Sequence, residues 1–472
     1  MRVRFLCACS GGILAALLAV SLALAFAETG TELQPPPYRL NRADEDYRYL
    51  RDPSLRTDFW DSLKYLQLTD TGSWFLSVGG EARERFEYFN NPNWGQSPQD
   101  HGYFLQRYFL HGDLQAGEHV RLFAQLQSSL EEGRAGGPRP TDKDELDLHQ
   151  AFLDVRLDLS GDSAFTLRSG RQELAYGTQR IVSVREGPNV RQSFDGFRLI
   201  YRAGEVQMDG FAAKPAQTNR YVFDDGPDNT KALWGMYSVL PFPILAEGNI
   251  DLYYVGLYRR NASFDQGSAR ETRHSVGSRL WRTAAPLDYN FEFIYQWGSF
   301  GTGAIRAWTA ASDTGYTFAS LPLRPRVGLR ADIASGDENP DNQDLQTFNP
   351  LFPKGAYFSE AALIGPANFI DLNPCLDLHL TDRLTLIFDW DFFWRESIHD
   401  GLYNNAVALV RSGAASNAHY IGSMPQVQLF WDVDRHLTFV AIYGHFFTGR
   451  FLRETGPGED VDYVTTWLAY KF

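Results

Sequence analysis

The 472-residue chain is 44% apolar, 14% aromatic and 22% charged, with a formal charge of −14. Aromatic content this high and charge density this low exclude a disordered chain, and the acidic balance excludes a nucleic-acid binder, which needs a basic patch or stripe. Only 6 of the 44 basic residues are Lys; the Arg excess reflects either genome composition or a use for guanidinium forks, which grip carboxylates and phosphates where Lys offers a point charge.

Residues 1–27 read as an export signal. Arg2 and Arg4 form the basic start, Ile13 to Leu24 the apolar stretch, and Ala25-Phe26-Ala27 a small-x-small cleavage site. Cys7 and Cys9 fall within it, which leaves Cys375 alone and no intramolecular disulfide or cysteine metal site. No second apolar run reaches the roughly 18 residues of a membrane-spanning helix. An exported chain of this kind is either a soluble secreted protein or an outer-membrane barrel, whose membrane signal hides in alternation.

Residues 28–73 differ in character from the rest of the mature chain. Pro35-Pro36-Pro37 is a stiff lead-in and Asp58 to Leu66 suits one or two helical turns, so this is an N-terminal extension, periplasmic or tucked into a barrel mouth. From Trp74 to Phe472 the pattern has period two. Candidate strands begin near Trp74, Tyr103, Val120, Leu146, Phe165, Phe194, Val206, Ala232, Ile250, Thr272, Leu287, Ala304, Arg326, Asn368, Leu384, Ile421, Leu437 and Val461, an even set of 18. In the clearest segments Leu384, Leu386, Phe388, Trp390 and Phe392 alternate with Thr385, Ile387, Asp389, Asp391 and Phe393, and Val464, Thr466, Leu468, Tyr470 and Phe472 share one parity. A soluble sandwich gives the same alternation. The strand number, the rhythm of tight turns (Asp382-Arg383, Asp434-Arg435) against long loops (176–192, 334–366, 397–420), and a terminal aromatic on an alternating strand favour an all-β, 18-stranded antiparallel transmembrane barrel with short periplasmic turns and long extracellular loops.

The strand arginines carry the functional argument. Arg83, Arg85, Arg107, Arg121, Arg156, Arg198, Arg202, Arg279, Arg326, Arg330 and Arg395 mostly share parity with polar residues, among them Glu81, Asp113, Asp154, Asp158, Asp332, Asp389 and Asp391. An Arg facing lipid near the bilayer midplane costs about 2–4 kcal/mol, so eleven of them must largely face the interior. There they either brace the wall through cross-strand ion pairs or remain free as a ladder of weak sites for an anionic cargo. Glu84 breaks the parity and marks either a bulge or a position above the membrane.

The 334–366 loop carries Asp337, Glu338, Asp341, Asn342 and Asp344 ahead of the aromatic stretch Phe348–Phe358. It reads as a gate folding inward, as an acidic loop facing lipopolysaccharide, or as a calcium site, although its spacing departs from the twelve-residue calcium loop. There is no Gly-x-Ser-x-Gly elbow, His-Glu-x-x-His helix or phosphate loop, so no enzyme, cofactor or structural metal is expected. A Ser/His pair at the barrel rim stays open as a hydrolase alternative, because triads are recognised by geometry.

Gly79-Gly80-Glu81-Ala82-Arg83-Glu84-Arg85-Phe86-Glu87-Tyr88 resembles the first-strand motif of the bacterial alginate export family of outer-membrane proteins. Gly170-Arg171-Gln172-Glu173-Leu174, Gly187-Pro188-Asn189-Val190-Arg191 with Phe194-Asp195-Gly196, Phe348-Asn349-Pro350-Leu351-Phe352-Pro353 and Trp394-Arg395 with Asp400-Gly401 and Tyr403 are similar to further blocks of it. The resemblance spans about residues 38–472. It implies a monomeric 18-stranded barrel whose Arg-rich pore passes an anionic, alginate-like polysaccharide; a polymer exporter would need periplasmic delivery partners, and a small-solute porin would not. The alternative cargo is a small anionic solute moving through a porin.

Overall fold

The computed structural model describes residues 35–98, 102–242, 244 and 247–472; the signal expected at 1–27 lies outside them. The barrel strands are β1 (Trp74–Asn90), β2 (Tyr103–Ala116), β3 (Val120–Glu132), β4 (Asp144–Asp158), β5 (Ser163–Gln172), β6 (Phe194–Ala203), β7 (Val206–Gln217), β8 (Lys231–Pro241) and β9 (Asn249–Phe264). They continue as β10 (Gly267–Arg282), β11 (Leu287–Phe300), β12 (Gly303–Thr317), β13 (Arg326–Ala334), β14 (Phe369–His379), β15 (Leu384–Trp394), β16 (Tyr420–Asp432), β17 (Leu437–Thr448) and β18 (Val461–Lys471). Each pairs antiparallel with its neighbours, and β18 closes on β1 from Glu81↔Lys471 to Asn90↔Asp462, so no edge is left open.

Alternation sorts the two faces. Leu122, Phe197, Met236, Phe293 and Val327 point outward, each at least half exposed, while Arg85, Arg107, Gln125, Arg273 and Thr465 are buried inside. A soluble sandwich would bury the first set and expose the second; an exposed apolar belt around a polar interior belongs in hydrocarbon. Glu84 needs no bulge. The β1–β2 register runs through it unbroken, and it faces outward with Gln106 Nε2 at 3.0 Å and Tyr108 Oη at 2.5 Å donating to it.

The extension before β1 folds into the end of the barrel that carries the C-terminus. It is built of 3₁₀ turns (Arg42–Asp44, Arg48–Arg51, Pro53–Leu55) and the short helix α1 (Asp61–Lys64). Arg42 donates to the Gly80 carbonyl at 2.9 Å and to the Phe472 main-chain oxygen at 2.8 Å. Trp60 lies 4.4 Å from the Phe472 ring, centroid to centroid, and donates to Tyr470 Oη at 2.8 Å. Lys64 sits buried among the rings of Tyr38, Tyr47 and Phe472; burial, together with Arg42, pushes its ammonium down to about 7. The Gly79-Gly80 pair makes room for this docking. A Cβ on Gly79 would lie 2.4 Å from Lys64 Nζ, and one on Gly80 2.7 Å from the Phe472 ring.

At the opposite end, three long loops turn into the barrel instead of standing above it. Loop 173–193 contributes Leu174, Tyr176, Ile181 and Val182; loop 335–368 contributes Phe348, Leu351, Phe352, Tyr357 and Phe358; loop 395–419 contributes Leu402, Tyr403 and Val407. They form one apolar cluster with wall residues such as Phe194, Phe211, Tyr253 and Phe393. The interior expected to be lined by arginines and their accompanying carboxylates is therefore also packed with aromatics in its long-loop half.

Candidate functional site

The wall arginines form a belt through strand register. On β3 to β6 the cross-strand neighbours run Arg121↔Asp154↔Arg168↔Arg198. Arg121 grips Asp113 through two 2.8 Å bonds, Arg168 grips Asp154 in the same way, and Arg198 donates to Asp209 at 3.0 Å. Forked pairs of this kind hold neighbouring strands together, so bracing describes these residues. Arg156 bonds Asp158 at 2.6 Å on the exposed rim.

Between this belt and the N-terminal segment lies a cavity of about 520 Å³. Segment residues Asp44, Asp46 and Arg48 face wall residues Arg121, Arg168 and Arg202 across it, and Ala43 O accepts from Arg121 at 2.6 Å. Arg39 and Arg202 line the cavity, and their guanidinium groups have no carboxylate partner among the described residues; the Arg39 main-chain N–H donates to Glu45 Oε1 at 2.9 Å.

Higher in the barrel, Arg83 and Arg107 stand directly opposite each other on β1 and β2. Like charges so placed repel, and loop 173–193 answers with Glu186. Its carboxylate bonds Arg107 and lies 3.7 Å from Arg83 and 3.1 Å from Arg191. Burial works against the charge, yet Arg107, Arg191 and Arg83 together hold that carboxyl well below the usual range. Glu81 completes the group at 2.6 Å from Arg107. Arg85 is enclosed by Glu87 at 2.6 Å, Glu360 at 2.9 Å and the Gly187 carbonyl at 3.0 Å.

Loops 173–193 and 335–368 meet where Phe352 N donates to Ile181 O at 3.0 Å and Lys354 N to Gln179 O at 2.9 Å. Arg180, Arg330 and Lys354 gather there, and a fourth cation, Arg185, lies beside Phe352. Arg180 is paired, with Asp332 at 2.6 Å and Glu292 at 3.0 Å. The other three have no ion-pair partner among the described residues. Arg330 on β13 feels Asp391, Asp389 and Asp313 from outside ion-pair distance. Burial, with Arg180 and Arg330 nearby, pushes Lys354 down to about 8. Burial alone pushes Arg185 down to about 10, and its guanidinium lies 5.6 Å from the Phe352 ring. Asp389 is held by Gln426 at 2.9 Å and Gln428 at 2.6 Å.

The remaining expected residues are engaged elsewhere. Arg279 bonds Asp251 at 2.8 Å and Asn290 at 2.9 Å; Arg326 bonds Asp288 at 2.5 Å and Asp313 at 3.2 Å. Arg395 departs from the expected ladder. It lies just past β15 and is fully buried, with its guanidinium donating to the carbonyls of Ile398, Asp400, Ser416 and Ala418 at 2.6–3.1 Å. It splints loop 395–419 and meets no open space.

Sequence reading missed Arg180, Arg185 and Lys354, because these lie in segments read as outer loops. The signal was present in the apolar content of Ile181-Val182 and Phe348–Phe358, which a solvated loop has no reason to carry. The acids of 337–344 do not gather into a cage: Asp337 Oδ1, Asn339 Oδ1 and Asn342 Oδ1 instead accept from the backbone N–H two residues on. Among the described residues no histidine ring hydrogen-bonds a serine hydroxyl; His149 meets Glu173 at 2.8 Å and His445 meets Asp462 at 2.7 Å.

A closed barrel with a lipid-facing apolar belt and a charge-lined interior defines an outer-membrane channel. The alginate export profile matches residues 75–465, and the chain belongs to that family of outer-membrane proteins. No curated relative matches the sequence. The fold is similar to that of a BenF-like porin from Pseudomonas fluorescens Pf-5 (TM-score 0.58, 11% identity, covering 86% of this chain and 99% of that one). It is also similar to Pseudomonas aeruginosa OccD3 (OpdP) (TM-score 0.56, 12% identity, 84% and 91%). Pseudomonas aeruginosa OccK2 (OpdF), solved in complex with glucuronate, superposes with a TM-score of 0.53 at 11% identity over 87% and 98%.

Proposed function

We propose that the channel passes a polyuronate chain, leaving the periplasm through the end that carries the termini and emerging between the long loops. The observation that carries this reading is that Arg330 and Lys354 at the loop junction, and Arg185 beside Phe352, lack carboxylate partners among the described residues, in an interior where most arginines are paired. Unpaired cations at a constriction offer weak successive sites that an anion can enter and leave. Arg39 and Arg202 extend the same chemistry to the cavity at the periplasmic mouth. Transport needs no cofactor and no bond making. The chain works as a monomer, with lipopolysaccharide around its outer rim and delivery proteins at its periplasmic mouth. A second reading, a porin for small uronates, is favoured by the glucuronate held in the similarly folded OccK2.

Current through the reconstituted protein tests the proposal. Oligouronates added on the periplasmic side should block it in a concentration-dependent way, and neutral oligosaccharides of equal length should not. The double variant Arg330→Gln/Lys354→Gln should weaken the block about tenfold or more. Block by monomeric uronate alone would favour the porin reading, and equal block by the neutral sugars would refute both.

A further inference from the structure

Where loop 218–230 folds back on β4 at the long-loop end, the structure assigns a calcium-binding site formed by Asp144, Asp147, Asp224 and Asp225. The site begins with a β-bulge. Two residues three apart on a regular strand face opposite sides, but the β3–β4 register shifts between Gln127↔Asp147 and Ser129↔Asp144. The shift turns both Asp144 and Asp147 inward, and both are buried. Loop 218–230 then supplies the other side. Glu145 N donates to Arg220 O at 3.0 Å, Phe223 N to Leu146 O at 2.9 Å and Asp225 N to Asp147 Oδ2 at 3.0 Å. This docking brings carboxylate oxygens of Asp147, Asp224 and Asp225 within 4.8 Å of one another.

Asp144 points independently to a cation. It is 2% exposed, and its Oδ1 is enclosed without a hydrogen-bond partner. The strongest charges acting on it are Asp225, Asp147 and Asp224. A buried carboxylate oxygen with no donor, in the field of neighbouring carboxylates, is costly unless a cation completes it. The nearest guanidinium, Arg171, is 3.7 Å from Asp147 but gives its bidentate grip to Asp195 at 2.9 Å and 3.1 Å, so the four acids stay under-neutralised. Calcium suits them better than magnesium: it takes six to eight oxygens in flexible geometry, whereas magnesium keeps several waters and one or two carboxylates. Bound there, it would fasten loop 218–230 to the barrel rim.

The test uses full-length protein refolded into detergent, which is free of lipopolysaccharide and its calcium, then stripped with EDTA and titrated calorimetrically with calcium chloride. One calcium per chain is expected. Asp224→Asn/Asp225→Asn should lower the affinity at least tenfold, and Asp144→Asn should do likewise. Asp341→Asn/Asp344→Asn, in the acidic loop that forms no cage, should leave binding intact. Heat-modifiable gel mobility verifies folding of each variant, and Asp224→Asn alone, at an exposed loop position, serves should the double variant fail to fold. A native chain that binds no calcium, or binding that survives Asp224→Asn/Asp225→Asn, would overturn the assignment.

Discussion

Excising Pro35–Lys64, with residues 1–34 and the antiparallel pairing of Leu66–Gln67 to β1 retained, is expected to raise single-channel conductance several-fold. The segment is anchored across the mouth. Arg42 bonds the main chain of both β1 and the C-terminus, Trp60 covers Phe472 and Tyr470, and Ala43 packs on Phe123 and Phe152 inside the wall. None of the barrel's inter-strand ladder runs through it, so the barrel closes without it. Single-channel recording in planar bilayers checks the outcome; unchanged conductance would mean the segment leaves the conducting path clear.

The second large effect is expected from Phe352→Ala/Phe358→Ala. Phe352 packs edge-on against Phe194 at 5.2 Å, and Phe358 sits between Phe369 at 5.0 Å and Phe393 at 5.1 Å. Removing a buried Phe costs about 3–5 kcal/mol, and here the loss falls on the seating of loop 335–368 while the strand ladder stays whole. The double variant should therefore keep its heat-resistant fold yet show frequent, larger openings and faster protease cleavage within 348–358. A variant that unfolds as a whole would make the aromatic cluster a support of the barrel and remove its role as a gate.

The barrel was legible because its strands announce themselves through alternation. Starts such as Trp74, Phe194, Arg326 and Val461 coincide with those observed. The poorest is β10, expected from Thr272 and found from Gly267, where Gly267, Ser268 and Ala269 are too small to mark a face and a register shift between Arg259 and Ala262 disturbs the preceding strand. Loop direction was legible only in part: the aromatic stretch Phe348–Phe358 allowed an inward gate at 334–366, but a segment without periodicity gives no sign of which wall residues it packs on. The pairing of each arginine depends on cross-strand register, which alternation alone leaves open: Arg198 finds Asp209 and Arg330 stays free, although both read alike in sequence. Gly79-Gly80 could be recognised as a motif, but its purpose required seeing Lys64 and Phe472 against it.

The account rests on the unpaired cations of the junction setting what the channel passes. The reversal potential of the native protein in a planar bilayer under a potassium chloride gradient tests this most directly. We expect it on the chloride side, moving toward zero in Arg330→Gln/Lys354→Gln, since one unit charge at 4 Å is worth about 1 kcal/mol in water and more in a confined site. A potassium-selective native channel would contradict the account.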